Sequence, residues 1–134
     1  MKIYTSYFAR MKDLRKANIL PVSVALWSPA WYVGVKFPSV APTPFMMGSN
    51  CSHERYLAEY DRILSRLNAN EIVEQLQKIS RGRDVALLCY EKPEDFCHRH
   101  LLAEWLNKQG FEVEEFGGKK EERKNEATQL SLFD

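Results

Sequence analysis

Two stretches of this chain are apolar almost without interruption, ILPVSVALW at residues 19–27 and VALLCY at residues 85–90. A strand with one face in water alternates apolar and polar side chains. An unbroken run rich in Val, Ile and Leu is what a strand buried on both faces requires. Strands of this kind alternating with helices point to an α/β layer arrangement with a mostly parallel sheet. The segments between and around the runs agree. KIYTSY (2–7) reads as a further strand, and the more polar FEVEEF (111–116) as a strand at an edge. ARMKDLRKAN (9–18), SHERYLAEYDRILSRLN (52–68), NANEIVEQLQKISRG (68–82) and FCHRHLLAEWLNKQG (96–110) carry helical spacing. Asn68 and Glu71 stand at capping-box spacing, and Gly82 is placed to close that helix.

The expected architecture is a single-domain, three-layer α/β fold in which a small, mostly parallel sheet is flanked by helices. A chain of 134 residues suffices for one core. That domain covers residues 1–116. It includes a proline- and aromatic-rich loop, 28–50, expected to be ordered because disorder would leave Trp31, Tyr32, Phe37 and Phe45 in water. A polar tail, 117–134, follows. The formal charge is +1, from 19 basic and 18 acidic residues. Duplex DNA is held largely by releasing counterions from phosphates, so a nearly neutral chain needs a local patch or a recruiter to act on DNA. No stretch approaches the ~18 apolar residues of a membrane span. Three cysteines and no secretory pattern lead us to expect reduced thiols and a cytoplasmic location.

In parallel sheets ligands bind beyond the carboxyl ends of the strands. That points to Thr5, Ser6 and Tyr7 after the first strand, to Trp27 and the loop residue Trp31 after the second, and to Cys89, Tyr90 and Glu91 after the third. The third end runs into LLCYEKPEDFCHRH (87–100), which sets Cys89, Glu91, Cys97, His98 and Arg99 close together. The start of a helix offers unpaired N–H groups and a positive dipole end, so a Cys97 thiolate or a bound phosphate would be stabilised there. On that helix Leu101, Leu102, Trp105 and Leu106 form the apolar stripe. His98 should point along it toward the sheet. Arg99 should lie at its edge, able to reach an anion or Glu91, and His100 should lie on the wet side. Two chemistries suit the set: Glu91 as general acid or base with Arg99 holding a phosphate, or Cys97 as nucleophile with His98 as base. The alternatives are structural, with Cys89 and Cys97 as buried thiols and His98 as a hydrogen-bonded core histidine. The spacing of Cys89, Cys97 and His98 supplies no fourth ligand and argues against zinc, so no metal is assigned and any cofactor is left open.

Leu88-Cys89-x-Glu91 followed by Cys97-His98-Arg99 at a helix start resembles the hallmark of the family catalogued as domain of unknown function 488. The resemblance runs from IYTSY to about Trp105. TSY (5–7) occupies the place where that family often carries a histidine. SVALWSP (23–29) stands where it commonly carries an Asp-Val-Arg element. The chain therefore resembles a divergent branch, with the Trp-rich loop in place of that element.

The tail carries a second resemblance. GGKKEERKNEA (117–127) is too polar to dock, yet QLSLF follows, at Gln129, Leu130, Ser131, Leu132 and Phe133. This is similar to the peptide by which bacterial replication and repair proteins bind the sliding clamp. Gln129 would fix register, Leu130, Leu132 and Phe133 would fill apolar subsites, and Ser131 would span between them. The rival reading docks the same residues on their own domain. Together these features lead us to expect a bacterial or phage protein of DNA replication, repair or base modification, recruited by its C-terminus. Its pocket would take a nucleotide or nucleic acid, and any chemistry there would be acid/base or thiol-assisted. A nucleotide- or small-molecule-processing enzyme unrelated to DNA and a non-enzymatic adaptor are the other two readings.

Overall fold

The computed structural model describes residues 1–90 and 98–117. Its sheet has five strands: β1 (Ile3–Tyr7), β2 (Leu20–Ser23), β3 (Val35–Lys36), β4 (Val85–Cys89) and β5 (Val113–Glu115). They lie in the order β3-β2-β4-β1-β5, and every neighbouring pair is parallel. The apolar run at 85–89 takes the central position because it alone has no polar side chain to place on either face. All five of its residues are buried. Val85 and Leu87 face one core, and Ala86 and Leu88 face the other.

The two layers are unequal. Helices α2 (His53–Ser65), α3 (Ala69–Ser80) and α4 (His98–Lys108) cover one face, where Tyr60, Leu64, Ile72, Leu76, Leu102 and Leu106 join the sheet's valines and leucines. The short α1 (Met11–Lys16) covers the other face with Met11 and Leu14. The starts of α2 and α3 are fixed by side chains. Ser52 Oγ accepts from Arg55 N at 3.1 Å, and Asn68 Oδ1 accepts from Glu71 N at 3.1 Å. At the end of α3 the left-handed turn begins one residue before the expected glycine, with Arg81 at φ 56° and Gly82 at φ 83°. Gly82 N then reaches Gln77 O at 3.1 Å and satisfies a carbonyl at the helix end.

The loop 28–50 contains β3, which the sequence does not announce because two residues are too few for a pattern. Tyr32, Phe37, Val40 and Met46 are buried, whereas Trp31 and Phe45 are about half or more exposed, contrary to the expectation that all the rings would be covered. Phe37 N donates to Ser23 O at 2.8 Å, and the Tyr60 hydroxyl donates to Val40 O at 2.7 Å. These bonds tie the loop to the end of β2 and to α2. Among the described residues, no helix is long and apolar enough to cross a membrane.

Candidate ligand-binding site

The chain leaves β2 toward the β3 edge and leaves β4 toward β5, in the opposite direction. Adjacent parallel strands whose chains depart in opposite directions open a crevice at their carboxyl ends. A cavity of about 380 Å³ occupies that crevice. Its walls come from Ala25, Leu26 and Trp27 beyond β2, Cys89 and Tyr90 at the end of β4, and His98 at the described start of α4. The loop adds Pro42, Met46, Met47 and Cys51, and the first turn of α2 adds His53 and Tyr56 beside its cap Ser52. None of the described lining residues is an Asp, Glu, Lys or Arg.

His98 is the best-defined polar group in the wall. It is 3% exposed, with Nε2 2.8 Å from Val24 O, Nδ1 3.5 Å from Cys89 Sγ, and its ring edge-on to Tyr60 at 5.4 Å. A carbonyl oxygen can only accept, so Nε2 carries the proton and donates, and Nδ1 turns its lone pair toward the sulfur. Burial lowers the pKa to about 4 against the opposing pull of the Val24 carbonyl, and the charge of Arg99 lowers it further. The imidazole is neutral at pH 7. Cys89 is disulfide-bonded and Cys51 is a free thiol, so the reduced state expected of every cysteine does not hold at Cys89. An oxidised sulfur is neither nucleophile nor proton donor, and thiol chemistry at Cys89 would begin with reduction.

Arg99 turns away from this cavity because neighbours on a helix point about 100° apart. The expected place at the edge of the stripe is corrected: Arg99 is fully buried. Its Nε and Nη2 donate to Glu115 Oε1 and Oε2, both at 3.2 Å, and its guanidinium stands 5.6 Å from the centre of the Tyr7 ring. Thr5 Oγ1 donates to the same Glu115 Oε1 at 2.7 Å. His100 is half-buried and not on the wet side. The sequence-derived set therefore divides. Trp27, Cys89 and His98 line the cavity. Thr5, Tyr7 and Arg99 gather around Glu115 two strands away. Ser6 faces the α1 layer by the pleat of β1, with its Oγ buried and, among the described residues, without a hydrogen-bond partner. Trp31 is outside the cavity wall, edge-on to Phe8 at 6.3 Å. Glu91 and Cys97, the expected anion site at the helix opening, and Gln129, Leu130, Ser131, Leu132 and Phe133 lie outside the described residues.

The residues missed were Glu115 and the α2 turn. Glu115 was legible as the residue two after the apolar Val113 on a strand, hence on the same inward face. Cys51, Ser52 and His53 were legible as a polar group where a loop enters a capped helix. No group of three or more His, Cys, Asp or Glu suited to a metal exists among the described residues.

The fold defines a class, the open parallel α/β proteins, in which ligands generally bind where strand order reverses. The family is more specific. The model described as "Active DUF488-N3 subclade" matches residues 10–110, and the chain belongs to this DUF488 family. No curated protein and no solved structure matches the chain significantly.

Proposed function

We propose that this chain is a cytoplasmic protein of bacterial or phage DNA replication, repair or base modification. In this reading its C-terminal QLSLF segment recruits it to the sliding clamp, and the crevice between β2 and β4 takes a nucleobase. The observation that carries the reading is the chemistry of the cavity wall. It offers ring faces from Trp27, Tyr56 and Tyr90, hydrogen-bonding edges from Ser52, His53 and the tyrosine hydroxyls, and a neutral His98. Among the described residues it offers no full charge. A buried anion or cation without a partner is costly, whereas a flat, neutral heterocycle needs only apolar faces and a few polar edges. Glu91 remains our candidate general acid or base. At neutral pH His98 is a poor base, since its pKa near 4 is far below the working pH.

Cys51 gives the test, because it is a free thiol in the cavity wall. With a nucleoside present at about ten times its dissociation constant, alkylation of Cys51 should slow roughly tenfold. A chain ending at residue 117 should show the same protection. Unchanged labelling at saturating concentrations of all the common nucleosides would remove the base-binding reading.

A further inference from the structure

We propose that the crevice receives its base from a single-stranded nucleic acid, and that neighbouring bases stack on an aromatic rim formed by Trp27, Tyr90 and Trp31. This rests on the nucleobase reading of the cavity and extends it from a mononucleotide to a strand.

The first argument is exposure. Trp27 is 61% exposed, Trp31 60% and Tyr90 48%. Single apolar side chains at a surface need no explanation, but three large rings in one place do. They are contiguous. Trp27 and Tyr90 share the cavity wall, while Tyr90 and Trp31 both meet the buried Phe8 edge-on, at 5.1 and 6.3 Å. Phe8 follows directly on β1, so the rim runs from the mouth of the cavity across the carboxyl ends of β2, β4 and β1. Phe8 engages one side of the Tyr90 and Trp31 rings and leaves much of each in water.

The second argument is reach. Trp31 is outside the cavity wall, so a ligand no larger than the cavity would not use it. A ligand that continues past the mouth would.

Charge decides between nucleic-acid forms. A duplex hides its ring faces and offers phosphates and groove edges, which a protein captures with cations. The net charge here is +1, and Arg55, in the first turn of α2, pairs with Glu59 at 3.1 Å while it lies over the Phe45 ring. A single strand offers its ring faces directly, and stacking on aromatic side chains is tolerant of sequence. Binding carried by stacking should also be only weakly sensitive to salt.

The experiment titrates the full chain with a fluorescein-labelled ten-nucleotide single strand of mixed sequence, the four mononucleotides, and a blunt duplex of the same sequence. The strand should bind at least tenfold more tightly than any mononucleotide, and the duplex more weakly than the strand. Trp31→Ala should weaken the strand roughly five- to a hundredfold while mononucleotide binding is unchanged. Trp31→Phe should restore most of the loss, which separates stacking from a folding defect. Trp27→Ala should weaken both ligands. The log–log salt slope for the strand should be shallow, with a magnitude of about 2 or less. Equal affinity for strand and mononucleotide, a silent Trp31→Ala, or a duplex that binds as well as the strand would overturn the strand proposal and leave the pocket reading standing. Binding of none of these would overturn both. An apolar peptide that competes with the strand only at Trp31 would identify the rim as a protein-docking surface instead.

Discussion

His98 is held by three different contacts, and each constrains its protonation. The Val24 carbonyl requires a proton on Nε2, Cys89 sulfur faces Nδ1, and Tyr60 covers the ring. Burial makes a second proton unfavourable and lowers the folded pKa to about 4, against about 6.5 in the unfolded chain. The unfolded state therefore binds more protons between those two values, and stability falls as pH drops from about 6.5 through about 4. The contribution lost over that window is about 3 kcal/mol. Urea unfolding at pH 7 and at pH 4 should show this loss in the wild type on top of whatever the carboxylates contribute. In His98→Gln, which keeps a donor for Val24 O but does not titrate, the pH dependence should be smaller by that amount. Identical pH dependence in the two proteins would mean that His98 is solvated in the folded state.

At the scale of the elements, one buried ion pair links α4 to the edge strand β5. Arg99 is fully buried, the Glu115 side chain is 15% exposed, and the paired oxygen also accepts from Thr5 on β1. Such a pair adds little net stability over an apolar replacement, but removing the carboxylate takes two charge-assisted hydrogen bonds from a buried guanidinium. Glu115→Ala should cost about 3–5 kcal/mol in unfolding free energy. Thr5→Val should cost about 1.5–3 kcal/mol through its one bond to the carboxylate. An unperturbed Glu115→Ala would mean that Arg99 is carried by another group. The sequence made some of this readable and hid the rest for physical reasons. The strands at 3–7 and 85–89 stand out because full burial leaves a continuous apolar signature. The inward turn of His98 follows from helical spacing with Leu101 and Leu102. Arg99 misled because its partner is contributed by β5 in three dimensions, and nothing within its own helix announces Glu115. The 2-residue β3 escaped because a pairing that short has no period to detect. The cavity wall drawn from Cys51, His53 and Tyr56 escaped because only the return of the chain through loop 28–50 brings α2 to the end of β4.

For the whole molecule, near-neutrality and the proposed recruitment fit together. A chain with a net charge of +1 gains little from phosphates, and the proposed tether to a ring on DNA would make up for that by raising local concentration. A flexible linker of about a dozen residues spans roughly 20 Å, the tether length that the proposed recruitment calls for. Linear motifs with two or three apolar anchors typically reach about micromolar affinity, near 8 kcal/mol. Each anchor supplies roughly 1.5–3 kcal/mol on full burial. Leu132→Ala with Phe133→Ala should accordingly abolish measurable binding to a bacterial sliding clamp and leave the melting temperature unchanged. A lowered melting temperature and no clamp binding by the wild type would place those residues in the domain's own core. The claim beneath all of this is that the crevice between β2 and β4 takes a base, and the chain contains only 3 tryptophans with which to watch it. Trp27 lines the crevice, Trp31 sits on the rim, and Trp105 lines the separate groove between α4 and α2. Indole N–H spectra recorded through a nucleoside titration of the full chain give the most direct answer. The Trp27 signal should move with saturation while Trp105 stays fixed. A response at Trp105, or no response at any of the three, would contradict the account.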